Sequence, residues 1–150
     1  MSSGTALSYS MIMLLTGIGI PVMAALNSQL GVRLANPAAA SVILFLSALF
    51  IAAAATAVVG LPDLAKVRAA PPHLFFSGAF VAFYVLSITW IGPRFGIGNA
   101  VFLVLLGQIV AAALIDHFGL FGVPRSPLTA LRIGVMVMMT VGVLMARKIG

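Results

Sequence analysis

The sequence contains no cysteine and almost no acidic residue. Of its 150 residues, 8 are Lys or Arg and 2 are Asp or Glu, so 7% of the chain is charged, against about 25% in soluble domains. The absence of cysteine excludes disulfides, thiol catalysis and Cys-ligated metals. The shortage of charge leaves too little polar surface for a water-soluble globule, which excludes soluble enzymes, nucleic-acid-binding domains and disordered proteins. The net charge of +6 comes from isolated residues that form no stripe for phosphates to follow.

Apolar residues make up 63% of the chain, and the mean hydropathy is +1.25. A membrane-spanning helix needs about 20 apolar residues. Stretches of that length, separated by Pro, Gly and charged residues, predict helices over about 9–32, 37–60, 73–91, 97–116 and 128–147. We therefore expect an all-α integral membrane protein with five transmembrane helices in a single membrane domain over residues 1–150. No Lys or Arg precedes the first stretch, so we expect a retained helix rather than a cleaved signal.

The basic residues that flank the predicted helices divide evenly between the two sides of the membrane. One side carries Arg33, Arg94, Arg147 and Lys148, and the other carries Lys66, Arg68, Arg125 and Arg132. Orientation in a membrane normally follows an excess of Lys and Arg on one side. The balance is either a coincidence in a small number of residues or a sign that the chain inserts both ways. In the second case, two chains would form an antiparallel ten-helix bundle, an inverted repeat of the kind that transporters use.

Two segments resemble a known family. They are GIGIPVMAALNSQLGVRLANPAAAS, over residues 17–41, and GQIVAAALIDHFGLFGVPRSPLTALRIG, over residues 107–134. Both are similar to the YdcZ-type family of small bacterial inner-membrane proteins, which belongs to the drug/metabolite transporter superfamily. The resemblance implies five-helix subunits that occur singly, in pairs or as fused ten-helix chains. It also implies a multi-pass location in the bacterial inner (plasma) membrane and a role in export, with no defined substrate.

The centres of the predicted helices contain no ionisable residue. The two acids, Asp63 and Asp116, lie in a loop and at a helix end, which argues against a proton-coupled exporter built around a central carboxylate. Uncharged polar groups in hydrocarbon need partners, so those at mid-depth are candidates for contact with a substrate. Together with one shape-defining methionine, the candidate substrate-binding residues are Thr16, Met23, Asn27, Tyr84, Ser87 and Gln108.

Each polar candidate has a structural alternative, a hydrogen bond that only ties helices together. This alternative stays open for Asn27, for the Gln108 amide and for the Tyr84 hydroxyl. Pro21 removes a backbone hydrogen bond to Gly17, so these two residues predict a hinge in the first helix, although Pro is also frequent in membrane helices generally.

Asp116 and Arg132 flank a short loop on one side of the membrane. We expect an ion pair that either stabilises this loop or opens as a transporter changes state.

These features predict a small-molecule transporter subunit that works by alternating access, with a midplane site at the interface of an antiparallel homodimer. Its expected partners are a small-molecule substrate, membrane lipids and a second copy of the chain, without nucleic acid. No nucleophile–base pair or metal-ligand set is visible, so we expect no enzymatic activity, catalytic residue, cofactor or metal. The alternatives are a flippase for a lipid or amphiphile and a non-transporting small subunit of a membrane complex.

Overall fold

A computed structural model describes residues 3–149 of the chain, with side chains described from residue 4 to residue 146. Within these limits every element is helical. The α-helices are α1 (Ser3–Arg33), α2 (Pro37–Val59), α3 (Leu64–Ala69), α4 (Ser77–Phe95), α5 (Ile97–Phe118) and α6 (Ala130–Ile149). Short 3-10 helices occupy Pro72–Phe76 and Leu120–Gly122. The chain divides after Ile97 into two units, which are described separately. The side chains of Arg147 and Lys148 lie outside the described residues.

Four helical segments in the described part of the chain are long and apolar enough to cross a bilayer. They are Gly4–Arg33, Pro37–Val59, Pro72–Phe95 and Ile97–Phe118. The last helix contributes a shorter apolar segment, Ala130–Ala146. In the most apolar 18-residue window of α2, with a mean hydropathy of 2.7, no residue is buried. Such a surface requires lipid or another protein around it, because exposing so much apolar area to water is unfavourable.

In the first unit, α1 packs against both α2 and α4, and α2 also contacts α4. The buried faces of α1 and α4 have the same spacing of i, i+3, i+4 and i+7, which is one side of a helix. On α1 the buried residues are Ala24, Asn27, Ser28 and Gly31, and on α4 they are Val85, Ile88, Thr89 and Gly92. Most of these side chains are small, so the two helix backbones approach closely, as they do in membrane proteins generally.

Two glycines lie where the helices are closest. A Cβ atom added at Gly31 would lie 2.9 Å from the Thr89 Cγ2 atom and 3.3 Å from the Pro37 Cα atom. At Gly92, an added Cβ would collide with the Ile97 side chain and lie 2.9 Å from the Ser28 Oγ atom. The absence of a side chain at both positions therefore allows α1, α2 and α4 to pack together.

Local sequence explains where α2 begins. The Asn36 Oδ1 atom accepts a hydrogen bond from the Ala39 backbone N–H at 3.0 Å, and Pro37 occupies the first helical position, where its missing N–H has no cost. Gly60, at a φ of 115°, ends the helix.

The first and third long helices extend further than their apolar stretches indicate. Helix α1 begins at Ser3 rather than near residue 9, and the Ser8 hydroxyl in its first turns donates to the Gly4 carbonyl at 3.0 Å. A 3-10 turn leads into α4, which continues past residue 91 to Phe95. Pro93 does not stop it, because in the last turn it removes only one backbone hydrogen bond; Gly96, at a φ of 87°, ends it.

The close approach at Gly31 predicts that Gly31→Ala destabilises the protein. The added methyl group would overlap with Thr89, and overpacking of this kind costs about 1–3 kcal/mol. A matched control is Gly17→Ala in the same helix, because nothing lies within 4 Å of a Cβ at Gly17. Thermal unfolding in detergent, followed by the fluorescence of the single tryptophan, Trp90, should show a lower Tm for Gly31→Ala than for Gly17→Ala. Equal Tm values would contradict this account of the packing.

Candidate functional site

A buried polar cluster joins α1 to α4. The Asn27 Nδ2 atom donates a hydrogen bond to the Thr89 Oγ1 atom at 2.6 Å, and the Thr89 hydroxyl donates to the Val85 carbonyl at 2.6 Å. Ser28 on the next position donates to the Ile88 carbonyl at 3.2 Å. Asn27 is only 5% exposed and Thr89 only 1% exposed. These bonds give the polar groups the partners that hydrocarbon does not supply.

A groove of about 290 Å³ runs between α1 and α2 on the other side of Asn27. Its lining residues are Met23, Leu26, Asn27, Leu30, Ile43, Leu44 and Ser47. None of them is ionisable, and Asn27 and Ser47 are the polar members. The Ser47 hydroxyl donates to the Leu44 carbonyl at 2.7 Å, so its hydrogen is already used while its oxygen can still accept. The structure thus brings Met23 and Asn27, two of the predicted contacts, into one groove.

Tyr84 lies on α4 with its side chain half-buried. Its hydroxyl oxygen is buried and has no hydrogen-bond partner among the described residues. A buried hydroxyl without a partner costs about 1–3 kcal/mol, so a polar group that is not part of this structure is expected to meet it. Neither a backbone carbonyl nor a neighbouring side chain in the described part of the chain does so.

The remaining candidates in the first unit lie apart from that groove. Ser87 lines a different groove of about 450 Å³ together with Asn36 and Trp90. Thr16 is exposed on α1, and its hydroxyl donates to the Ile12 carbonyl of the same helix at 2.9 Å. Trp90 is 56% exposed, and the Arg94 guanidinium lies 5.2 Å from the centre of its ring, an arrangement typical of residues at the membrane surface.

Gln108 belongs to the second unit and lies near the middle of α5. Its side chain is exposed, and none of the described residues of that unit donates to or accepts from its amide. A primary amide at mid-membrane needs hydrogen-bonding partners. A substrate, water or another protein surface would have to provide them.

The predicted hinge residues lie in a continuous helix, because α1 runs through Gly17 and Pro21 without interruption. Pro21 lacks the backbone N–H that would bond to the Gly17 carbonyl, so this turn is held less firmly than its neighbours. The space around Gly17 is open. A bend at this turn would therefore meet no steric clash at Gly17.

An ion pair closes the loop between α5 and α6. The Arg132 Nη2 atom lies 2.6 Å from the Asp116 Oδ2 atom, and the Ser126 backbone N–H donates to the Asp116 carbonyl at 2.8 Å. His117 also bonds to the loop, because its Nδ1 atom accepts from the Leu128 N–H at 3.0 Å. The predicted pair is thus formed within a loop that backbone hydrogen bonds also hold. No three His, Asp or Glu side chains in the described part of the chain lie close enough to hold a metal.

Thr89 is the site residue that the sequence analysis missed. It lies on the face of α4 that also carries Val85 and Gly92, and not on the Tyr84–Ser87 face. The matching spacing of small and polar residues on α1 and α4 is the signal that identifies it.

The comparison with known protein families identifies the family of the chain. A family model described as "putative inner membrane exporter, YdcZ" matches residues 8–145, nearly the whole chain. No curated protein and no solved structure matches it.

The loop geometry predicts a modest coupling between Asp116 and Arg132. Their side chains are about one-third exposed, so solvent screens the attraction, and we expect a coupling energy of about 0.5–1 kcal/mol. A double-mutant cycle with Asp116→Asn and Arg132→Gln, read from unfolding in detergent at low salt, measures it. The coupling should shrink in 1 M salt; a value of zero at both salt concentrations would contradict the ion pair.

Proposed function

Because the chain belongs to the YdcZ family of inner membrane exporters, and is thus a multi-pass, transporter-type protein of the bacterial inner membrane, we propose that two copies in opposite orientations form one transporter. Each copy would contribute five spans to a ten-helix inverted repeat. A small solute would bind near the midplane at the interface between the copies and would be exposed to each side in turn. No bond in the solute is made or broken.

The observation that carries this proposal is the buried hydroxyl of Tyr84, which has no partner among the described residues. A fold selected only for stability would have a phenylalanine there, because the same shape without the hydroxyl avoids the desolvation cost. The exposed amide of Gln108 supports the same conclusion independently. Both are polar groups at the depth where inverted-repeat transporters bind their substrates.

The equal numbers of flanking cations support the antiparallel arrangement. With four on each side, the positive-inside rule favours neither orientation. In such a dimer the hinge at Gly17 and Pro21 would let α1 bend as the cavity changes side. The Asp116–Arg132 pair would stabilise the loop throughout the cycle or open as the protein changes state.

The proposed substrate contacts are Thr16, Met23, Asn27, Tyr84, Ser87 and Gln108. Neither acid of the chain lies in the middle of a span, since Asp63 caps α3 and Asp116 lies in the last turn of α5. An uncompensated cation at the midplane is costly. We therefore propose a neutral or amphiphilic solute and facilitated movement rather than proton-driven export.

One observation favours a second candidate, a flippase for an amphiphilic lipid. The groove between α1 and α2 opens on a lipid-type surface, because Leu26 on its rim is 64% exposed and Ile43 is 48% exposed. An acyl chain could enter such a groove from the surrounding lipid while the head group of the same molecule crosses the membrane.

Dual insertion can be tested directly, because the chain has no cysteine to remove. Leu34→Cys reports on the α1–α2 turn and Ala65→Cys on the α2–α4 connection, which face opposite sides, and neither changes a charge. We expect a membrane-impermeant maleimide to label about half of each variant in intact cells. Full labelling of one variant and none of the other would contradict the antiparallel proposal. As a control, Ala65→Lys adds a positive charge on one side only, which favours the cytoplasm for that side. The labelled fraction of Leu34→Cys should then rise from about half towards the whole.

The role of Tyr84 can be tested by counterflow in proteoliposomes. Radiolabelled chloramphenicol is a suitable probe because it is neutral and carries O–H and N–H donors. We expect Tyr84→Phe to lower its flux about tenfold, the effect of losing about 1.4 kcal/mol of interaction, while its Tm stays equal to that of the parent or rises. Tyr9→Phe is the matched control, because Tyr9 is 58% exposed at the start of α1. Unchanged flux in Tyr84→Phe would refute its role, and parent flux no faster than in empty vesicles would refute the transport of this class of solute.

A further inference from the structure

The orientation of the Asn27 side chain has a consequence for what the groove between α1 and α2 can bind. The Thr89 hydroxyl has a single hydrogen, and it donates this hydrogen to the Val85 carbonyl at 2.6 Å. Towards Asn27, the Thr89 oxygen can therefore only accept. The amide of Asn27 must turn its nitrogen, and not its oxygen, towards α4, as the 2.6 Å contact from Nδ2 shows.

The nitrogen and the oxygen of a primary amide lie on different sides of its carbon, so with Nδ2 bonded to Thr89 the Asn27 Oδ1 atom is directed away from that bond. The groove is lined by residues of α1 and α2, Asn27 among them, and by none of α4, so Asn27 meets it with the part of its side chain that is not bonded to Thr89. This oxygen accepts no hydrogen bond from the described residues and is not among their fully enclosed unpaired atoms. It is therefore a free acceptor at the wall of the groove.

The second polar residue of the groove, Ser47, also offers an oxygen that can accept a hydrogen bond. The Ser47 hydroxyl donates its hydrogen to the Leu44 carbonyl at 2.7 Å, which leaves its oxygen as an acceptor. The other lining side chains are apolar, and no charge is available to neutralise an ion. Two oxygen acceptors in an otherwise apolar groove of about 290 Å³ match a small solute with an apolar body and an O–H or N–H donor.

We propose that Thr89 is a positioning residue that holds the Asn27 amide with its oxygen towards the α1–α2 groove, and that this makes the groove selective for uncharged, apolar solutes carrying a hydrogen-bond donor. This inference deepens the proposed transport function and rests on it for its biological meaning. The binding itself is independent of transport. Thr89 acts through Asn27 and does not touch the solute.

The test compares two fluorescent probes that differ only in the donor. These are 1-naphthol, which has an O–H, and 1-methoxynaphthalene, which does not. Saturable binding is measured on the full chain in lipid nanodiscs, with empty nanodiscs subtracted to remove partition into lipid. We expect the parent protein to bind 1-naphthol about five- to tenfold more tightly, the effect of one hydrogen bond in an apolar site.

The variants separate positioning from stability. In Thr89→Val the amide loses the acceptor that orients it, so the preference for 1-naphthol should fall to below twofold, and Asn27→Leu should abolish it. Thr89→Ser retains the hydroxyl and should restore the preference. Ser28→Ala is the matched control, because Ser28 donates across the same helix interface but does not contact the amide; its preference should equal that of the parent.

Three results would overturn the proposal: no saturable binding of either probe, equal affinities in the parent, or a full preference retained in Thr89→Val. If Thr89→Val does not fold, a preference retained in Asn27→Leu overturns it equally. Donor selectivity without any counterflow would refute the transport of this class of solute and leave the binding site supported. Counterflow without donor selectivity would do the reverse.

Discussion

A polar group inside a bilayer has no water to bond with, so it needs a hydrogen-bonding partner from the protein or a ligand. This constraint decides how the helices of the first unit pack. Asn27 and Thr89 satisfy it for each other across the α1–α4 interface, at an N···O distance of 2.6 Å. Interhelical bonds of this kind contribute only about 0.6 kcal/mol on average in measured cases. Their larger effect is on register, because a shift of α1 along α4 would leave the Asn27 amide without this partner in hydrocarbon, while Thr89 would keep only its bond to the Val85 carbonyl.

The same constraint divides the polar groups into those that have hydrogen-bond partners in the described structure and those that do not. Ser28, Thr89 and the nitrogen of Asn27 have partners within the first unit. The Tyr84 hydroxyl has no partner among the described residues, and the Gln108 amide has none among those of the second unit that the structure describes. Groups of the first kind explain why the helices pack as they do. Groups of the second kind have no structural explanation in one chain, which is why we place binding there.

Much of the fold could be predicted from the sequence because apolar runs and helix-end residues are local signals. Pro37 and Gly60 mark the ends of α2, and the scarcity of charge alone indicates a membrane protein. The family was identified from two segments, and the match over residues 8–145 confirmed it. The ends of α1 and α4 were less predictable, because α1 includes polar residues before its apolar stretch and α4 continues past Pro93 to Phe95. Thr89 was missed because its partner depends on how two helices cross, and a single helix does not contain that information. The interface becomes visible in the sequence only when the two helices are compared, because their small and polar residues have the same spacing. These are Ala24, Asn27, Ser28 and Gly31 on α1, and Val85, Ile88, Thr89 and Gly92 on α4.

The central claim is that the polar groups left without partners, the Tyr84 hydroxyl and the Gln108 amide, are each reached by water or a solute and not enclosed by lipid or helices. Its most direct test is magnetic resonance of the protein in lipid bilayers, with ¹⁵N in the side-chain amides of glutamine and asparagine. Gln108 and Gln29 are the glutamines of the chain, so Gln29→Leu leaves one glutamine signal to assign. The account predicts magnetisation transfer from water to the Gln108 amide and little to the Asn27 amide, whose nitrogen is bonded to Thr89. A Gln108 amide in contact only with lipid chains or neighbouring helices would contradict it.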